Sequence, residues 1–237
     1  MMKMSPMLNH RTAGFTLIEL LIAMAIASII MAAMYAAFEA QVRGQVSQDV
    51  SLQMTQSIRS AMEIMAADIR MAGCDPENAG AAITTADADE LIITMDIGGG
   101  LQGQPDGDTI DAGERVHYAV NADGDLGREV NVQNAMVFPN ALQPLHSADL
   151  ECEALNFIYL DADGNPFVPA TEDDREDINA IQVSMVVRSA DAVNPGFLRA
   201  YSDNTSYVNL QGDEILPPQN DAFRRFQLSE TIDCRNL

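Results

Sequence analysis

The chain has 237 residues, enough for one or two domains with a sizeable core. Its 35 Asp and Glu outweigh 13 Lys and Arg, for a formal charge of -22. A field of that sign excludes nucleic acid and anionic lipid headgroups as partners of the soluble part.

The first 14 residues carry Lys3 and Arg11 and no acid. From Leu20 to Phe38 there follow 19 residues without a charge, about the length of helix that crosses a bilayer core. Glu19 alone interrupts the apolar segment that opens at Phe15. The basic start favours a cytoplasmic location for this end. An ordinary secretory signal is cut after its apolar region, behind small residues. Here the leader-like boundary, Gly14–Phe15, comes before it, so the apolar segment stays in the mature chain.

The run Gly14-Phe15-Thr16-Leu17-Ile18-Glu19-Leu20-Leu21 resembles the processing site of type IV prepilins and type II secretion pseudopilins. The resemblance implies a leader over residues 1–14, cut after Gly14 by a membrane prepilin peptidase that also methylates the new amino terminus at Phe15. Glu19 becomes the fifth mature residue and the assembly residue, in a mature chain of 237 minus 14, or 223, residues. The implied partners are that peptidase, other minor and major pilins or pseudopilins, an inner-membrane assembly platform, and membrane lipid before assembly. The implied location is the bacterial inner membrane, single-pass, with the leader in the cytoplasm and the carboxy-terminal domain outside it, and then a pilus or pseudopilus. A carboxylate in a membrane segment costs about 2.5–3.5 kcal/mol on insertion scales and calls for a partner. Cleavage supplies one, an α-amino group at Phe15 that is mostly protonated at neutral pH; snorkelling of Glu19 to the interface is the alternative.

No proline occurs between Pro6 and Pro76. Past Phe38 apolar residues recur at Val42, Val46, Val50, Met54, Ile58, Met62, Met65 and Ile69, the one-sided stripe of an amphipathic helix. The pattern predicts one helix from Phe15 to Ala72, membrane-spanning over 15–38 and extracytoplasmic over 39–72, with Gly73 as its C-cap and Pro76 just beyond. The methionines read as flexible packing residues rather than metal ligands.

From residue 73 to 237 the pattern becomes short strands between Gly, Asp, Asn and Pro. Strands are predicted at Glu90–Asp96, at Arg115–Val120 and Arg128–Val132 around an Asn121–Asp125 turn, at Ala154–Leu160, around Ile181–Val187, and at Phe226–Cys234. In the last, Phe226, Leu228, Ile232 and Cys234 face inward and Glu230 breaks the alternation. The fold class is α+β: one long helix packed on a mostly antiparallel sheet. RMAGCDP, ELIITMD, RVHYAVNADGDLGREVN and ALNFIYLDADGNP are together similar to PilW-type minor pilins, related to the J-type minor pseudopilin of type II secretion. That implies a subunit that helps initiate and cap assembly. The K-type tip pseudopilin typically lacks the glutamate found here at Glu19.

Three acidic loops carry oxygen ligands at alternate positions around a glycine, as Ca²⁺ requires: Asp106–Asp111, Asn121–Asp125 and Asp161–Asn165. Asp123, Asp125, Asp161, Asp163 and Asn165 are the candidate ligands; none of the loops completes an EF-hand, and hairpin turns favour the same residues for backbone reasons. His10, His117 and His146 lack metal-ligand spacing, and neither a nucleophile elbow nor a P-loop occurs. The chain therefore reads as a substrate of an enzyme and not as one; a membrane-anchored hydrolase is the remote alternative. Outside the cytoplasm, Cys152 and Cys234 are the preferred disulfide partners, with Cys74 as competitor.

Overall fold

The computed structural model describes residues 14–98, 103–121, 124–131, 143–144, 150–192 and 201–237. Helix α1, Leu17–Met71, runs without interruption through the apolar and the amphipathic segments. Residues 1–47 and 48–237 form two separate compact units.

In the first unit every side chain described from Phe15 to Phe38 is exposed. An apolar helix long enough to cross a membrane is present, and none of its apolar window is buried. Glu39 and Arg43, the first charges after this run, pair at 2.8 Å one helical turn apart.

In the second unit the stripe becomes the core. Met54, Ile58, Met62, Met65 and Ile69 are at most 1 % exposed. Ala61, Ala66 and Ala72 lie buried among them and let the helix approach closely. Val42 is exposed and Val50 half-buried, so burial begins later than the sequence pattern does. The side chain of Val46 lies outside the description. Gly73 has φ +73°, the left-handed C-cap conformation, and its N–H bonds Thr94 O at 3.0 Å.

Two antiparallel sheets make the head. The first contains β1 (Ile83–Ala86), β2 (Leu91–Thr94), β3 (Arg115–Val120), β4 (Leu126–Val130) and β5 (Gln143–Pro144), in that order. The second contains β6 (Leu150–Leu160), β7 (Pro166–Phe167), β8 (Ala180–Ser189) and β11 (Arg225–Asp233), ordered β11-β8-β6-β7. A short helix α2 (Glu172–Glu176) and a hairpin of β9 (Tyr207–Val208) and β10 (Glu214–Leu216) complete it.

The predicted strands all appear, with shifted bounds. β6 starts at Leu150 rather than Ala154, because Leu150 and Cys152 are also buried; a register shift between Cys152 and Ala154 hid the alternation. β4 starts at Leu126 rather than Arg128. β8, the strand between β6 and β11, is buried on both faces, at Ser184 and Val186 as well as at Ile181, Val183, Met185 and Val187. In β11, Ile232 is buried and Phe226 and Leu228 pack on the core. Glu230 breaks the alternation because it faces Arg70 at the end of α1, at 3.8 Å.

Candidate functional site

The amino-terminal constellation is built on a helix start. Gly14, Phe15 and Thr16 are outside α1, and Phe15 is 85 % exposed. Thr16 caps the helix: its hydroxyl accepts from the Glu19 N–H at 3.3 Å, and its carbonyl accepts from the Leu20 N–H at 3.2 Å. Glu19 therefore sits in the first turn, where the helix dipole favours a carboxylate. Thr16-x-x-Glu19 has the spacing of a capping box, the signal in the sequence that marks Thr16 as the cap. Residues 1–13 of the expected leader, Lys3 and Arg11 among them, lie outside the described residues.

The head is held to the helix by polar contacts as well as by the core. Asp68 of α1 accepts from the buried Tyr118 hydroxyl of β3 and from Arg128 Nε of β4, the latter at 2.6 Å. Burial, and next the Asp68 charge, push the Tyr118 phenol well above its ordinary value, so it remains a donor. On the second sheet Arg225 of β11 is only 1 % exposed in its side chain. It grips Asp221 through two bonds of 2.7 Å, Glu153 of β6 at 3.0 Å, and Asp203 at 3.3 Å. Asp203 also accepts from the Tyr207 hydroxyl at 2.8 Å. The Arg225 hydrogen bonds hold the Asp221 carboxyl below its usual range. No spacing in the sequence singles out Asp68, Arg128 or Arg225; apart from Asp221, four residues from Arg225, their partners come together only through contacts between distant segments.

Of the candidate calcium ligands, Asp161 accepts from the N–H groups of Asp163 (2.9 Å) and Asn165 (2.8 Å) and from the Asn165 amide (3.2 Å). Its carboxylate closes its own turn, and those amide bonds hold it below the usual carboxylate range. Asp125 is likewise bonded to Asn121, at 3.1 Å; Asp123 lies outside the described residues. In the Asp106–Asp111 loop the carboxylates of Asp106, Asp108 and Asp111 lie within 4.8 Å of one another. That loop is anchored by two fully buried acids: Asp96 accepts from the Asp106 and Gly107 N–H groups, and Glu114 from those of Ile97, Gly98 and Asp111.

The cysteines require a correction. Cys74, Cys152 and Cys234 are free. Cys152 pairs with Val187 across β6 and β8, whereas the Cys234 N–H bonds Asn179 O at the other end of β8. Residues 179 and 187 are eight positions apart, roughly 26 Å along a strand, and Cys152 and Cys234 lie on opposite flanks of β8. A disulfide tolerates about 7 Å between Cα atoms, so the expected Cys152–Cys234 bridge is incompatible with this register.

Residues 9–35 match the family model described as the prokaryotic N-terminal methylation motif. No curated relative matches the chain by sequence. Among solved structures, the fold is similar to a type IV-like pilin from Thermus thermophilus, with a TM-score of 0.51 at 15% identity, over 78% of this chain and 98% of that one.

Proposed function

We propose that the chain, which carries the prepilin methylation motif on a type IV pilin-like fold, is a minor pilin that helps initiate and cap a type IV pilus. The observation that carries this reading is the apolar half of α1. Every described side chain from Phe15 to Phe38 is exposed, directly behind the methylation motif. Burying a large apolar side chain is worth about 1.5–3 kcal/mol, so this surface requires lipid first and neighbouring helices afterwards.

A prepilin peptidase cuts between Gly14 and Phe15 and methylates the Phe15 nitrogen. The new cation lies beside the first turn that carries Glu19. When an assembly platform extracts the subunit, Glu19 pairs with the Phe15 amine of a neighbour, offsetting its desolvation and fixing the axial register. The head, with its irregular loops and two sheets, selects neighbouring subunits. The chain acts as an assembly component and catalyses nothing.

Replacement of Glu19 tests this. Glu19→Ala is expected to leave membrane insertion and cleavage intact, the latter read from the mass of the mature amino terminus, and to remove the protein from sheared filaments. Normal incorporation of the variant would refute the role of Glu19. An uncut amino terminus on the wild-type chain would refute the pilin reading itself. Copurification with secretion components in place of pilus subunits would assign the chain to a pseudopilus.

A further inference from the structure

The two sheets of the head each contribute an edge strand to one cleft of about 830 Å³. β1 lines it from the first sheet and β7 from the second, and each has a single strand neighbour among the described residues. An edge strand presents main-chain N–H and C=O groups to whatever chain lies beside it. At the rim next to β7, Val168 is 85 % exposed, and Phe167 is partly buried beside it. The cleft therefore offers what an extended segment needs: backbone partners, and an apolar surface for alternate side chains.

Its charge specifies the occupant. Asp87, Asp213 and Glu214 line the cleft and are exposed, and Asp89 lies on a shallower pocket that adjoins it at Ile215. Among the described lining residues the opposing cation is Arg175, whose Nε is committed to Ile83 O at 3.0 Å. An acidic strand would be repelled, and a second copy of this chain, at a formal charge of -22, meets the same field.

We propose that this cleft receives an extended, Lys- and Arg-bearing segment of a different subunit, which adds a strand at the β1 edge, with β7 and Val168 forming the apolar wall opposite. The proposal deepens the filament-subunit reading and rests on it for the nature of the partner. The head then selects its neighbour by strand addition and charge, independently of the packing of the apolar helices.

Site-specific photocrosslinking in membranes of cells carrying the assembly machinery tests it with the full chain. Benzoylphenylalanine is placed at Val168 in one strain and at Ile30, on the apolar helix, in another, and the linked peptides are identified by mass spectrometry. The Val168 probe is expected to label a net-basic peptide of another pilin-like subunit. Asp87→Lys, Asp213→Lys and Glu214→Lys together are expected to cut that labelling at least tenfold, with the Ile30 labelling and the thermal melt unchanged. If the triple variant does not fold, Asp87→Asn with Asp213→Asn is expected to cut labelling at least threefold. Labelling of an acidic peptide, of a second copy or of lipid, no labelling, or labelling that survives the charge changes would overturn the proposal. An Ile30 probe that labels only lipid would instead count against the filament reading, and the Val168 probe answers for the cleft separately.

Discussion

Arg225→Met probes the polar anchor of the second sheet. Met retains much of the aliphatic stem, so the change removes charge and hydrogen bonds more than volume. It leaves Glu153, Asp203 and Asp221 facing one another without the guanidinium that is only 1 % exposed between them. Removing one partner of a buried ion pair costs about 3–5 kcal/mol, because the remaining charges stay desolvated. For a chain of this size, about 2–4 °C per kcal/mol converts this to a fall in Tm of roughly 6–20 °C at pH 7. The pH dependence gives a second readout. Arg225 is the largest cause that depresses the Asp221 carboxyl; Asp203 is depressed against its burial by Thr205, Tyr207 and Arg225. Groups with lowered folded values contribute stability that is complete above the ordinary aspartate pKa of about 3.9 and is lost as pH falls through the folded value. Wild type therefore loses this contribution below about pH 4, whereas the variant never had the Arg225 part. The gap in Tm should narrow between pH 7 and pH 3.5 in micelle-held full chain, followed by circular dichroism. A loss under about 2 °C at pH 7, or a gap that widens in acid, would refute the reasoning.

One further change tests the corner where α1 meets the head. Gly73→Ala forces a side chain onto φ +73° and places its Cβ 2.8 Å from Asn236 O; urea unfolding should show a loss of about 1–3 kcal/mol, the range for strained left-handed residues. Burial pushes the Cys152 and Cys234 thiols up to about 12. Both should resist a neutral alkylating reagent at pH 8 in the folded chain and react once it is unfolded. Peptide mapping under non-reducing conditions should find no Cys152–Cys234 linkage.

Local signals in the sequence located the helix, its cap and the head's main strands. The Met54–Ile69 stripe and Gly73 follow from periodicity and left-handed φ, which act within a few residues. Short β1, β5, β7, β9 and β10 were missed because two to four residues carry no measurable alternation. α2 was missed because five residues have no periodicity, although Thr171 and Asp174 cap it reciprocally. The split into two sheets, the register that separates Cys152 from Cys234, and the pairing of β1 and β7 edges at one cleft all depend on contacts between distant segments. At the amino terminus the order was reversed. There the methylation motif that contains Gly14, Phe15 and Glu19 is legible in the sequence, and the structure adds Thr16 as the cap that starts the helix.

That cap separates two events that share the same few residues. Because α1 starts at Leu17, the bond between Gly14 and Phe15 belongs to a non-helical stretch, the form in which a protease active site reads a substrate. A cut there would leave every hydrogen bond of α1 in place, the first of them from the Leu20 N–H to Thr16 O. On the proposed processing, a subunit would wait in the bilayer with its membrane helix already formed, and maturation would trade residues 1–14 for a new amino-terminal charge two residues ahead of α1.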